Sequence, residues 1–165
     1  MAIHHMFQTL VPSGAKRSLL LWLAPLLASP CISLAQTSIP STPQMNLPRV
    51  QLQAGLYRIH AQVASTPQEQ EVGLMFRQDM PESEGMLFVF QQAKPYCFWM
   101  KNTELDLSAA FIDDQGRIVN MVEMQAQTTQ SHCAQAPVRY VLEMNKGWFA
   151  KRHMGAGFAL KGPMW

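Results

Sequence analysis

The chain has 165 residues, with 13 Lys+Arg, 11 Asp+Glu and 48% hydrophobic residues. That is the size of one ordinary domain, or of a smaller domain behind an exported leader. A charged fraction of only 15% argues against a wholly disordered chain. Two of the basic residues, Lys16 and Arg17, precede Ala35; beyond it stand 11 basic and 11 acidic residues, a net charge of zero with His neutral. A neutral chain without a basic block gives no support for nucleic-acid binding.

Residues 1–35 read as a secretory signal peptide. Lys16 and Arg17 form its positive end, Leu19 to Ala28 its apolar core, and Ser33-Leu34-Ala35 a cleavage site with small residues at −3 and −1. The core is far shorter than the ~20 residues a bilayer span requires, so no membrane span is expected once the leader is cut after Ala35. The expected location is periplasmic or secreted. A lipoprotein anchored through Cys31 is the weaker alternative, because Pro30 stands where Gly or Ala is expected.

Cleavage leaves two cysteines, Cys97 and Cys133. An even number in an oxidising compartment points to a disulfide. Closing a loop of about 37 residues would stabilise the fold by roughly 3–4 kcal/mol in the chain-entropy model. A pair of soft metal ligands or two free thiols are the alternatives. A thioredoxin-like centre is disfavoured, since no Cys-x-x-Cys is present.

Residues 36–48 are rich in Gln, Ser, Thr and Pro and read as a flexible linker, which places a single β-rich domain at 49–165. Val50, Leu52 and Ala54, then Tyr57, Ile59, Ala61 and Val63, alternate with polar residues around Gly55, which predicts a hairpin. His60 falls on its polar face. Thr66-Pro67-Gln68-Glu69 is a capping box opening a helix expected to reach about Phe76, with Gly73 packing closely on the sheet. Strands follow at Met86–Phe90, Tyr96–Lys101 and Ala109–Ile112. Asp113-Asp114-Gln115-Gly116 turns into a partner strand from Arg117 to about Met124. Residues 125–137 form a polar loop, Val138–Asn145 another strand, and Trp148–His153 one helical turn. The expected fold is mainly β (α+β): a small bent antiparallel sheet or barrel-like domain with one or two short helices.

Five ordered blocks resemble one family. They are Thr66-x-x-Glu69 with Gly73-Leu74-Met75-Phe76-Arg77; Gly85 to Phe90; Phe98-Trp99-Met100-Lys101-Asn102-Thr103; Phe111-Ile112-Asp113 with Gly116; and Val141 to Gly147. In this order and spacing the chain resembles the family catalogued as domain of unknown function 192, over roughly residues 56–157. The resemblance implies a small β-rich domain, often exported, and no established activity. Two positions depart from the family pattern. Leu105-Asp106-Leu107-Ser108 replaces Ile-Pro-Leu-Asp, and Gly157-Phe158 replaces Gly-Asp, so a role resting on either aspartate does not transfer.

The polar residues inside these blocks supply the candidate site. Arg77, Lys101, Asn102, Thr103 and Glu143 can line a shallow site for a small anionic or carbohydrate ligand. Each also has a structural reading. Arg77 can close the helix, Asn102-Thr103 can cap a strand end, Lys101 and Glu143 can pair across strands, and Asp113 suits a turn. An enzyme of hydrolase type is an alternative without a motif: no G-x-S-x-G or H-E-x-x-H is present, and no catalytic residue can be named. Copper binding through Met and Cys is a third reading, set against Met75, Met86, Met100 and Met144 as core filler. No cofactor is expected; the expected partners are a small ligand or an envelope protein. The intact mass of the protein isolated from the envelope should correspond to cleavage after Ala35, with no lipid, and should lie two hydrogens below the reduced value. A mass retaining the leader or both thiol hydrogens would refute these two expectations.

Overall fold

The computed structural model describes residues 41–165. The leader, its cleavage site and Cys31 lie outside the described residues. The first hairpin joins β1 (Arg49–Ala54) to β2 (Tyr57–Ala64) with Ala54 opposite Tyr57. Gly55 takes φ +59°, the left-handed conformation such a tight turn needs. Leu56 at the tip is 96% exposed.

The helix α1 (Pro67–Val72) begins as its sequence predicts. Glu69 N–H donates to Thr66 Oγ1, and the Glu69 carboxylate accepts from the Ser65 and Thr66 N–H groups. It stops four residues earlier than expected, because Gly73 leaves the helix at φ +50° and Phe76 is also left-handed at φ +64°. A Cβ on Gly73 would lie 3.2 Å from the Phe88 ring, so the turn does pack closely on the sheet. The helix end is finished from an unexpected quarter. Gln44 Nε2 donates to the carbonyls of Glu69 and Gly73, at 2.8 and 2.9 Å. Residues 44–48, assigned by composition to the linker, are thus tied to the domain; Pro48 and Met45 carbonyls accept from Val63 N–H and Gln62 Nε2.

β3 (Glu84–Lys94) lies parallel to β2 and antiparallel to β8 (Val138–Asn145). The parallel pairing is possible because α1 and the following loop form a long crossover. β5 (Leu107–Ile112) pairs with β8 and with β6 (Ile118–Met124), across a turn in which Asp113 Oδ1 accepts from the Gln115 and Arg117 N–H groups. The sheet order is β1-β2-β3-β8-β5-β6. The mainly β class holds, but the sheet is mixed rather than wholly antiparallel, and it is not a closed barrel. Residues 157–161 partly span its open side, bonding Ile118 and Gly116 on one flank and Gln53 on the other.

The expected strand over Tyr96–Lys101 contracts to β4 (Cys97–Phe98), which pairs only with β7 (His132–Cys133), two residues inside the expected loop. Cys97 faces Cys133, and the two form a disulfide. Near the C-terminus a single 3-10 turn, Ala150–Arg152, follows β8. His60 is exposed, as its position in the hairpin implied.

Both faces of the sheet are covered. Leu52, Ile59, Leu87, Ile112, Leu142, Met144, Trp148 and Phe149 form one core. Met86, Phe88, Met100, Leu107, Phe111 and Val141 form the other. Met75 is also buried, so all four methionines named above serve as interior filler, and Met144 sits on the opposite face from Met86 and Met100. With both cysteines of the domain in one disulfide, neither is free to join a thioether as a metal ligand.

Gly85 marks the tightest point between β3 and β8: an added Cβ would lie 2.5 Å from the Glu143 carbonyl oxygen and would also overlap Met144 Sδ. Gly85→Ala should therefore destabilise the domain by about 1–3 kcal/mol, read as a lower urea midpoint. An unchanged midpoint would contradict this packing.

Candidate functional site

The crossover and the β4–β7 flap stand on the same face of the sheet, and a cavity of about 340 Å³ lies between them. That is within the size range of small-ligand sites. One wall is α1 and the turn after it, with Pro67, Gln70, Glu71 and Gly73 to Met75. The other is aromatic: Phe88 and Phe90 of β3, and Tyr96, Phe98 and Trp99 of the flap. Thr103 and Glu143 complete the lining.

The aromatic wall is held by packing and by bonds at its base. Phe88 and Phe98 meet edge to face at 4.8 Å, and Phe90 stacks on Tyr96 at 3.6 Å. Such pairs contribute ~0.5–1.5 kcal/mol each beyond their burial. Ala134 N–H donates to the Tyr96 carbonyl, Tyr96 O–H to the Gln92 carbonyl, and the Cys97–Cys133 disulfide ties the flap strands together. Trp99, 49% exposed, is left standing at the rim.

Glu143 is the exceptional residue. It lies on β8 opposite Met86 and Ala109, on the same face as Val141, and is only 4% exposed. None of the described residues donates a hydrogen bond to its carboxyl. Burial alone, with no compensating charge, pushes its pKa up to about 8. Near neutral pH the group is thus mainly a carboxylic acid, offering one O–H donor and one carbonyl acceptor to the cavity.

The structure divides the five candidate residues. Thr103 and Glu143 line the cavity together; Arg77, Lys101 and Asn102 do not. Arg77 lies past the helix end and does not close it. Its buried guanidinium donates to the Gln44 carbonyl and to Gln62 Oε1, tying the approach to β1 against β2. Burial and the Arg49 cation lower its pKa, and Glu84 opposes this. Lys101 is exposed and lies over the Trp99 ring at 5.5 Å, so it makes no cross-strand pair with Glu143. Asn102 is left-handed at φ +58°. Its carbonyl accepts from Phe76 N–H and its amide approaches Met75 Sδ at 4.0 Å, so its side chain caps no strand.

Ser108, at the first departure from the family pattern, is buried on the opposite face from Glu143. Its Oγ donates to the Glu123 carboxylate and accepts from Gly147 N–H, both at 2.8 Å. That is a structural bond set away from the cavity. Thr103 and Glu143 line the cavity, and none of its lining residues is a histidine.

Sequence reasoning missed the aromatic wall, whose signal was present. Five aromatic residues fall between positions 88 and 99. They read as residues of two core strands because nothing local reveals that the chain leaves the sheet after Lys94 and enters a separate two-stranded flap.

The fold and this cavity define a small, open-sheet β domain with an aromatic-walled site. The chain belongs to the DUF192 family, described as "Uncharacterized ACR", whose pattern matches residues 50–162. Among solved structures it is similar to a protein of Sinorhizobium meliloti 1021 described as a candidate transcription regulator. That likeness is 30% identity and a TM-score of 0.69, covering 74% of this chain and 99% of that one. It is also similar to a protein of unknown function from Novosphingobium aromaticivorans DSM 12444. There the identity is 26% and the TM-score 0.66, covering 78% of this chain and 94% of that one. No curated protein matches the chain.

Because the folded protein retains the Glu143 proton up to about pH 8 while an unfolded chain releases it near 4.5, folding binds a proton between these values. This contribution to stability is complete below about pH 4.5 and declines as pH rises toward 8. Glu143→Gln should remove that part of the decline, seen as a flatter dependence of the urea midpoint on pH. An unchanged slope would place the Glu143 carboxyl in a solvated site.

Proposed function

We propose that this protein is an exported binding module of the cell envelope whose cavity takes a small, uncharged, hydroxylated ligand with an apolar face, a carbohydrate in chemical class. One observation carries the reading: a buried carboxyl, Glu143, without a hydrogen-bond partner among the described residues, in the wall of an aromatic cavity. Aromatic faces suit the C–H face of a sugar ring, and a neutral acid suits its hydroxyl groups. An anionic ligand is less well served, because neither Arg77 nor Lys101 lines the cavity.

Export is supported by the leader with its site after Ala35, and by the disulfide, which an oxidising compartment maintains. A role in transcription, the description given to the Sinorhizobium relative, does not carry over. Residues 36–165 balance 11 basic against 11 acidic residues without a basic block.

The reading is tested by thermal-shift and calorimetric titration of the oxidised protein with neutral saccharides, and with their phosphorylated and carboxylated counterparts. Neutral sugars should raise the melting temperature more than the charged ones. Trp99→Ala, at an exposed rim position, should weaken binding by about tenfold, or ~1.4 kcal/mol. Preferential binding of the charged sugars, or indifference to Trp99→Ala, would count against it.

A further inference from the structure

A second cavity, of about 390 Å³, adjoins the first and shares Pro67, Gln70, Phe90 and Tyr96 with it. The stacked Phe90–Tyr96 pair therefore belongs to both. Their chemistry differs. The first is mainly apolar, with Gln70, Glu71, Thr103 and Glu143 as its polar side chains. The second is lined by Ser65, Gln91, Gln92 and Lys94, hydroxyl, amide and ammonium groups suited to sugar hydroxyls. A ligand filling both must carry an apolar group with a strong neutral acceptor at one end and a hydroxyl-rich part at the other.

We propose that the two cavities form one extended site for an N-acetylated oligosaccharide, with an acetamido group against Glu143 and the next sugar ring between the Phe90–Tyr96 stack and Gln91–Gln92. This rests on the carbohydrate reading above and narrows it. An acetamido group has a methyl that Val72, Met75 and Phe88 can enclose. Its amide carbonyl is a better acceptor for the carboxylic O–H than a sugar hydroxyl is. No group among the described residues hydrogen-bonds the Glu143 carboxyl, which faces the cavity, so such a ligand would supply its partner. Gln70 is pre-positioned at the junction, since its Nε2 donates to the Val89 carbonyl at 2.7 Å and its Oε1 remains available as an acceptor.

The test is calorimetric titration of the oxidised protein with N-acetylglucosamine, with N,N′-diacetylchitobiose and with cellobiose, which has the same linkage and no acetamido groups. Diacetylchitobiose should bind about tenfold tighter than each of the other two. The double variant Gln91→Ala/Gln92→Ala alters exposed positions, so the fold should persist by circular dichroism. It should erase the advantage over N-acetylglucosamine while leaving binding of that monosaccharide unchanged. Equal affinity for the mono- and disaccharide would overturn the second subsite. Equal affinity for cellobiose and diacetylchitobiose would overturn the acetamido contact and leave the carbohydrate reading standing. Binding of no sugar, neutral or charged, by the folded protein would overturn both.

Discussion

Gly85–Phe88 of β3 and Tyr140–Met144 of β8 are buried on both of their faces, and most of the domain is arranged to cover them. Leu87 and Leu142 turn to one core while Phe88 and Val141 turn to the other. A strand pair in this position has no solvated face on which to place polar side chains. The crossover with α1 covers one side, and the C-terminal segment with Trp148 and Phe149 covers the other. The close approach at Gly85 follows from the same constraint: β3 presses against β8 where the Glu143 backbone lies, without room for a methyl group.

Within that doubly buried pair, one alternating position is occupied by a carboxyl. A fully ionised carboxylate beside Met86 and Ala109, in a cavity wall shared with Phe88, would carry a large desolvation cost, so the group keeps its proton instead. Arg77 shows a different solution to the same difficulty. Its guanidinium is also buried, but its Nη2 donates to oxygen acceptors supplied by Gln44 and Gln62 and becomes an internal tie, while its Nε finds no partner among the described residues. The contrast separates their roles. A buried polar group with protein partners organises the fold, and one without them facing a cavity is available to a ligand.

The flap relates the disulfide to the site. β4 and β7 pair over only two residues, too little to persist as a ladder by itself. The covalent link between Cys97 and Cys133, together with the Phe90–Tyr96 stack, keeps Tyr96, Phe98 and Trp99 in position as one wall. The other wall, α1, is fastened at its start by the Thr66–Glu69 capping box and at its end by Gln44. The helix wall is thus anchored mainly at its two ends, and the aromatic wall partly by rings that themselves line the cavity.

Much of the fold was legible in the residues. Period-two alternation located β1, β2 and β8, the capping box located the start of α1, and the turn at Asp113–Gly116 located β6, because each depends on interactions a few residues apart. The ordered motif blocks identified the family. The end of α1, the shortness of β4 and the docking of Gln44 were not legible, since each depends on contacts between distant segments. The site shows the same division. Glu143, Lys101 and Asn102 stood out alike as polar residues inside the family blocks. Only the packing of β8 between two cores made the first a buried acid and left Lys101 at the surface. Sequence by itself thus determined the class, the elements and the presence of unusual polar residues. The tertiary structure decided which of them share a cavity, because burial is set by the elements that come to lie on top.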